Sequence, residues 1–250
     1  MAAITSTSNT RVKGWLALAK RSGRSASGTF LVEGRRESHR IANFAEVVEH
    51  IWCPEYTDDP PPSVATTVSK HVFDRISHRQ HPDGVAVVAR TPDLSLDQFD
   101  VGENPLILIA DGIEKPGNIG AMIRTCDALD ASFIGSSLGT DLVNPNVIRS
   151  AQGSLFAMPT AAAPRAEVVA WATDHTQIIV MRPDDADRLW DTDLTGAVSI
   201  VIGAEHEGVA PEWNNVGRGV HIPMHGTADS LNASVTAAIV LAEAVRQRSG

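Results

Sequence analysis

An alternation that begins at Leu106 constrains the fold more than any other feature of the chain. Short apolar runs at 106–110, 131–135, 177–181, 198–202 and 220–222 are separated mostly by segments of helical periodicity, and residues 232–248 end the sequence as a helix. Runs this rich in apolar residues belong to strands covered on both faces. Strands that alternate with helices pair in parallel. The expected fold class is therefore α/β, a mostly parallel sheet with helices on both faces. Sheets of this kind take ligands at the carboxyl ends of their strands. Here those ends carry Asp111-Gly112, the stretch GAEHEG at 203–208 and the stretch PMHG at 223–226.

The preceding residues read as a smaller α/β unit. Val12, Trp15, Leu16 and Leu18 or Ala19 give an imperfect apolar stripe to a helix over 9–20. A strand at 30–32, a helix at 36–43 and a strand at 47–53 follow. PEYTDDPPP at 54–62 is a loop. A helix at 69–76 and a strand at 85–89 complete the unit. The acidic, turn-rich stretch 91–104 marks the boundary, giving domains at 1–97 and 103–250.

Composition narrows the function classes. No apolar run approaches the ~18 residues of a membrane span, and the first residues lack the apolar core of a signal peptide. A cytoplasmic protein is expected. Cys53 and Cys126 are the two cysteines, and their spacing suits neither a disulfide framework nor a metal site. Cys126 sits in a helical pattern and reads as a buried, inert thiol. The net charge of −9 is unevenly spread: residues 1–40 hold eight basic residues against two acidic ones, a net +6, so the rest carries −15. A basic arm on an acidic body suits contact with phosphates, against the simpler reading of a solvated helix face.

The common nucleotide signatures are missing. No G-x-G-x-x-G follows a strand. Gly203 and Gly208 have P-loop spacing, but Val209-Ala210 stands where Lys-Ser/Thr would hold phosphate and magnesium. There is no G-x-S-x-G elbow and no H-E-x-x-H pair. Three polar constellations remain. The first is KPGNIGAMIRT at 115–125, where Pro116 and Gly117 turn the chain into a helix. Asn118 and Arg124 within it are too far apart for one helical turn but within reach across a helix start; an N-cap and a surface arginine would also explain them. The second is IGAEHEG at 202–208, and the third IPMHGTADSLNAS at 222–234.

In this order and spacing the three resemble the motifs of the SpoU (TrmH-like) family of RNA ribose methyltransferases, in the SPOUT trefoil-knot superfamily. The first block is similar to the family's N-x-G-x-x-x-R, the second to G-[SN]-E-x-x-G, and the third to I-P-M…S-L-N-[VA]-S. The stretch from Asn144-Pro145 through Arg149 and Gly153 to Phe156 is similar to a further family segment, and the likeness spans about 106–248. Ser8-Asn9, Val12-Lys13 and the run FLVEG at 30–34 resemble the small ribosomal-protein-like, RNA-substrate-binding domain that precedes the catalytic domain in many members. Three positions depart from the pattern: His206 and Asp130 for glycines, and Ala151 for a serine.

The resemblance implies a deep trefoil knot in the catalytic domain, a homodimer, S-adenosylmethionine as cofactor and methyl transfer to a ribose 2′-hydroxyl of structured RNA. It favours ribosomal RNA over tRNA, and no metal is involved. A non-catalytic RNA-binding or assembly homologue is the contrasting reading, and the intact motif residues argue against it. Gly203, Ile222 and Leu231 are expected to hold the adenosine part, Gly203 by allowing close backbone approach. Arg124 aligns with the catalytic arginine, and a charged guanidinium suits alkoxide and phosphate stabilisation better than proton abstraction. Asn118 is expected to orient Arg124 or the hydroxyl, and Ser230 and Asn232 to add hydrogen bonds at the start of the last helix. Glu205 is read as a positioning residue in preference to a proton acceptor. Arg21, Arg24, Arg35, Arg36 and Arg149 are the expected RNA contacts.

Overall fold

The computed structural model describes residues 3–183, 187–205 and 207–249; His206, one of the departures from the family pattern, lies outside them. The chain forms two compact units, Met1–Pro92 with Val143–Ala157, and Asp93–Leu142 with Met158–Gly250. The stretch 143–157, assigned by sequence to the catalytic domain, packs within the first unit.

In that unit α1 (Thr10–Ala17) is capped by Asn9, whose side chain accepts the Arg11 N–H. Val12, Trp15 and Leu18 fall on its buried face, as the apolar stripe predicts. α2 (Arg21–Ser27) ends at Gly28 in the left-handed conformation. β1 (Thr29–Glu33), α3 (Arg35–Arg40), β2 (Val47–Trp52), β3 (Ala65–Thr67), α4 (Lys70–Ile76) and β4 (Val85–Arg90) follow. The sheet runs β1-β4-β2-β3; β4 is antiparallel to both neighbours, and β2 and β3 are parallel. Two aromatic contacts tie the later stretch in: Phe156 lies 6.5 Å from Phe30 and 5.1 Å from Phe44, centroid to centroid.

The second unit opens with β5 (Leu106–Asp111), α5 (Pro116–Ala128) and β6 (Ser132–Ser136). The chain then contributes α6 (Pro145–Ala151) to the first unit, and continues through β7 (Thr160–Ala163), α7 (Arg165–His175), β8 (Gln177–Met181), β9 (Asp187–Arg188), β10 (Val198–Ile202), α8 (Pro211–Asn214), β11 (Arg218–His221) and α9 (Ala233–Arg248). Among the described residues the sheet has seven strands, all parallel, in the order β7-β6-β5-β10-β8-β11-β9. The fold class is the expected one. The apolar side chains of β5 and β10 are buried, each worth roughly 1.5–3 kcal/mol where large and aliphatic. The chain steps outward from β5 to β7, then returns to build β8 and to insert β10 between β5 and β8. That reversal is where open parallel sheets form their ligand crevice.

Helix punctuation differs from expectation at the start of α5. Pro116 and Gly117 do not turn the chain ahead of a helix but form its first two positions, where proline's missing N–H costs nothing. Asp130, after α5, takes φ +52°, the left-handed geometry that an Asp in a usual glycine position must accept. Ala151 is fully buried in α6, so its methyl is packed. No helix among the described residues is long and apolar enough to cross a membrane.

Candidate active site at the carboxyl ends of the parallel strands

β10 ends at Ile202 and the chain enters a tight loop. Ala204 and Gly208 face each other as an isolated bridge, with the Gly208 N–H donating to the Ala204 carbonyl at 2.9 Å. A Cβ on Gly203 would overlap the carbonyl of Gly208 and the nitrogen of Val209. The loop's own backbone thus needs Gly203 bare, a constraint separate from the expected close approach of a ligand. The far end of the loop is fastened by Asp111, whose side chain is 1% exposed. Its carboxylate accepts from the Ser136 hydroxyl at 2.6 Å, Arg165 Nε at 2.8 Å and the Ala210 N–H at 3.2 Å. The hydrogen bond to Asp111 raises the Arg165 pKa further, keeping the guanidinium charged.

β11 ends at His221, one residue before the expected strand end, so Ile222 opens the following loop. That loop runs to α9, which Asn232 caps by accepting from the Ser234 N–H at 2.9 Å. A pocket of about 150 Å³ lies at the ends of β8, β10 and β11. Gly203, Ile222 and Leu231, the three expected adenosine contacts, line it, together with Glu205 and Ser230. The side chains of Ile202, Ile222 and Leu231 give it apolar walls.

A polar junction joins the three motifs. Asn118 Nδ2 donates to Glu205 Oε1, Lys115 Nζ lies 3.3 Å from the same oxygen, and Asn232 Nδ2 reaches Asn118 Oδ1 at 3.5 Å. Arg124 is outside it. Six residues along α5 place it about 9 Å from Asn118 along the axis. It is exposed, does not line the pocket, and has no hydrogen-bond or ion-pair partner among the described residues. The expectation that Asn118 orients Arg124 is therefore not met within one chain, because Asn118 is spent on Glu205 and Asn232.

Of the five expected RNA contacts, Arg21 is exposed and without a partner among the described residues. Arg24 is a correction: it is 3% exposed and donates to the Leu18 carbonyl at 2.8 Å, so it is built into the unit it was expected to arm. Arg35 holds Asp59 at 2.6 Å and Thr57 at 3.2 Å, Arg36 reaches the carbonyl and side chain of Gln152, and Arg149 donates to the His78 carbonyl at 3.0 Å. Lys13 and Lys20, which were not among the five expected contacts, are exposed and have no such partner among the described residues. Cys126 is fully buried, and burial pushes its thiol pKa up, the condition of an inert cysteine.

The sequence assigns no role to Lys115 or Asp111, though both stand at places it marks, and it does not mark Arg182 at all. Lys115 stands inside the first motif, three residues before Asn118, and one helical turn was the available signal. Asp111 ends an otherwise apolar run, a position that only burial distinguishes from a solvated one. Arg182 follows β8 and lines the pocket, and no motif reaches it.

Comparison with known proteins places this geometry in context. Residues 105–242 match the model of the SpoU rRNA Methylase family, and residues 9–87 that of the MRM3-like substrate binding domain. Over 96% of its length and 91% of the relative's, the chain is 32% identical to a 23S rRNA (uridine(2479)-2′-O)-methyltransferase of Streptomyces viridochromogenes. It is 27% identical, over 96% of itself and 98% of the relative, to the 23S rRNA (guanosine(2553)-2′-O)-methyltransferase RlmP of Bacillus subtilis. Among solved structures, the SpoU methyltransferase AviRb from Streptomyces viridochromogenes, in complex with AdoMet, superposes with a TM-score of 0.87 at 29% identity, covering 97% of this chain and 99% of that one.

Proposed function

The chain belongs to the SpoU rRNA methylase family, and on that premise we propose that it transfers the methyl group of S-adenosylmethionine to a ribose 2′-hydroxyl of ribosomal RNA. The observation that carries the proposal is the pocket at the ends of β8, β10 and β11, in which Gly203, Ile222 and Leu231 meet from two separate motifs. Its chemistry fits the cofactor: apolar walls for an adenine face, and loop backbone at Gly203, Ile222 and Leu231 for an adenine edge and ribose. Bound there, the cofactor supplies a methyl group already activated by its sulfonium.

The remaining task falls on the protein's own residues. A ribose hydroxyl attacks poorly while protonated, so developing charge on its oxygen must be stabilised. Arg124 stays charged and presents a planar fork of donors. With no partner among the described residues, it serves that oxygen and the adjacent phosphate. Its place outside the lining of its own chain's pocket supports a homodimer in which Arg124 of one protomer completes the pocket of the other. Glu205 acts as a positioning residue: its hydrogen bonds from Lys115 and Asn118 bring the first and second motifs together. Asn232 extends the junction to the third motif while capping α9, and Ser230 offers a hydroxyl at the pocket rim.

Substrate recognition is divided. The unit Met1–Pro92 with Val143–Ala157 has 13 basic and 9 acidic residues, a net +4, and the other unit has 8 against 21, a net −13. RNA phosphates therefore favour the first unit, with Lys13, Lys20 and Arg21 as the contacts. The 23S rRNA named for the two relatives favours large-subunit ribosomal RNA over tRNA, and a cytoplasmic location follows from that substrate. Incubating purified protein with methyl-labelled cofactor and either unmodified 23S rRNA or bulk tRNA tests the proposal. The expected product is a 2′-O-methyl nucleotide in 23S rRNA. Cofactor binding without transfer would point to the non-catalytic reading, and label confined to tRNA would overturn the substrate.

A further inference from the structure

We propose that Arg182 recognises the carboxylate of the cofactor's methionine end and so separates S-adenosylmethionine from nucleosides that lack it. The inference rests on the cofactor reading above. Arg182 is the first residue after β8, and its N–H donates to the Val220 carbonyl at 2.9 Å, which sets its backbone between β8 and β11. Its side chain is half-buried and lines the pocket. Among the residues lining that pocket it is the one lysine or arginine.

No hydrogen bond or ion pair engages the Arg182 side chain among the described residues. Among the described lining residues the acidic one is Glu205, which is already bonded to Asn118 and Lys115. A half-buried guanidinium gives up part of its hydration, which is costly unless an anion replaces it. S-adenosylmethionine carries one anionic group, its carboxylate; adenine and ribose are neutral, and the sulfonium and ammonium are positive. A guanidinium binds a carboxylate through two parallel N–H bonds, a geometry that neither water nor a hydroxyl reproduces. Arg182 is thus matched in charge to the one anionic part of the cofactor, which the apolar walls and loop backbone leave unaddressed.

Calorimetry separates the possibilities with two probes that share the adenosine part. S-adenosylhomocysteine keeps the carboxylate, and 5′-methylthioadenosine lacks the amino-acid end. The Arg182→Met variant, which preserves the stem's apolar contact, is expected to bind S-adenosylhomocysteine about 10- to 100-fold more weakly, the usual range for a charge-assisted bond. Its affinity for 5′-methylthioadenosine should match the parent's. Arg182→Lys should recover part of the loss, and a fold check by circular dichroism accompanies both variants. Equal losses for the two probes would mean general damage to the pocket, and no loss for either would mean that the side chain serves solvent or RNA; each overturns the assignment. Should the parent itself bind neither probe, the cofactor reading falls, and this inference with it.

Discussion

Replacing Gly203 by alanine is the sharpest test of how the cofactor loop is built. The added methyl would occupy the space of the Gly208 carbonyl and the Val209 nitrogen, both backbone atoms that no rotamer change can move. Restoring van der Waals separation requires that strand of the loop to retreat by about 1 Å. The Gly208 N–H to Ala204 carbonyl bond would open, worth about 1 kcal/mol. Overpacking the turn adds about 1–3 kcal/mol. The combined ~2–4 kcal/mol, expressed in cofactor binding, corresponds to an affinity loss of about 30- to 1,000-fold.

Calorimetric titration with S-adenosylhomocysteine, paired with thermal denaturation, reads both places where that energy can appear. Two neighbours serve as controls. Gly208→Ala meets no atom but is strained by φ +69°, so a loss of about tenfold or less is expected. Gly226→Ala meets open space at ordinary φ and should be silent. A Gly203→Ala protein with the parent's affinity and melting temperature would refute the claim that loop closure demands this glycine.

Three further outcomes follow from the same geometry. Arg124→Ala should abolish methyl transfer with cofactor affinity intact, Arg124→Lys should rescue little, and mixing Arg124→Ala with Gly203→Val should restore about a quarter of parent activity through composite sites; no restoration in a proven mixed dimer would refute the shared site. Replacing Lys13, Lys20 and Arg21 together by alanine should lower the salt slope of RNA binding by about 2 with no change in melting temperature, whereas Arg24→Ala should cost about 1–3 kcal/mol of stability by leaving a buried carbonyl unpaired. Glu243, held by Arg246 and Gln247, has its pKa pulled down to about 2, so its contribution is complete above the unfolded carboxylate range near ~4.3 and is lost as pH falls toward 2; the melting-temperature gap between parent and Glu243→Gln should hold from pH ~7 to ~5 and close below, and a gap that stays open near pH ~2 would contradict it.

The strands of the parallel sheet were legible because burial on both faces makes most residues of a run apolar: β5, β6, β8 and β10 read as largely apolar blocks, broken by Ser132, Gln177 and Ser199, and the structure puts each within a residue of its expected bounds. α2 left no such mark. Its sequence RSGRSAS has no apolar stripe, and the one residue it buries is Arg24, so a pattern that equates burial with hydrophobicity passes over it and reads the arginine as solvent-facing. β3 and β7, built from Ala and Thr, are too small in side chain to stand out from loop.

The site divides along a similar line. Motif order was enough to expect that Gly203, Ile222 and Leu231 act together, although the junction of Asn118 with Glu205 spans 87 positions and depends on β10 inserting beside β5. Periodicity carries no information about such an insertion, since each strand looks the same whichever neighbour it pairs. Lone charged residues at strand ends are harder still. Asp111 and Arg182 both follow apolar runs, and in sequence they are equivalent stops. In the structure one is a buried acceptor with three donors, and the other is a donor without an acceptor among the described residues. The first is satisfied by its own chain and so holds the loop. The second finds no partner among the described residues, and a half-buried charge so placed is best accounted for by a ligand that arrives with the opposite sign.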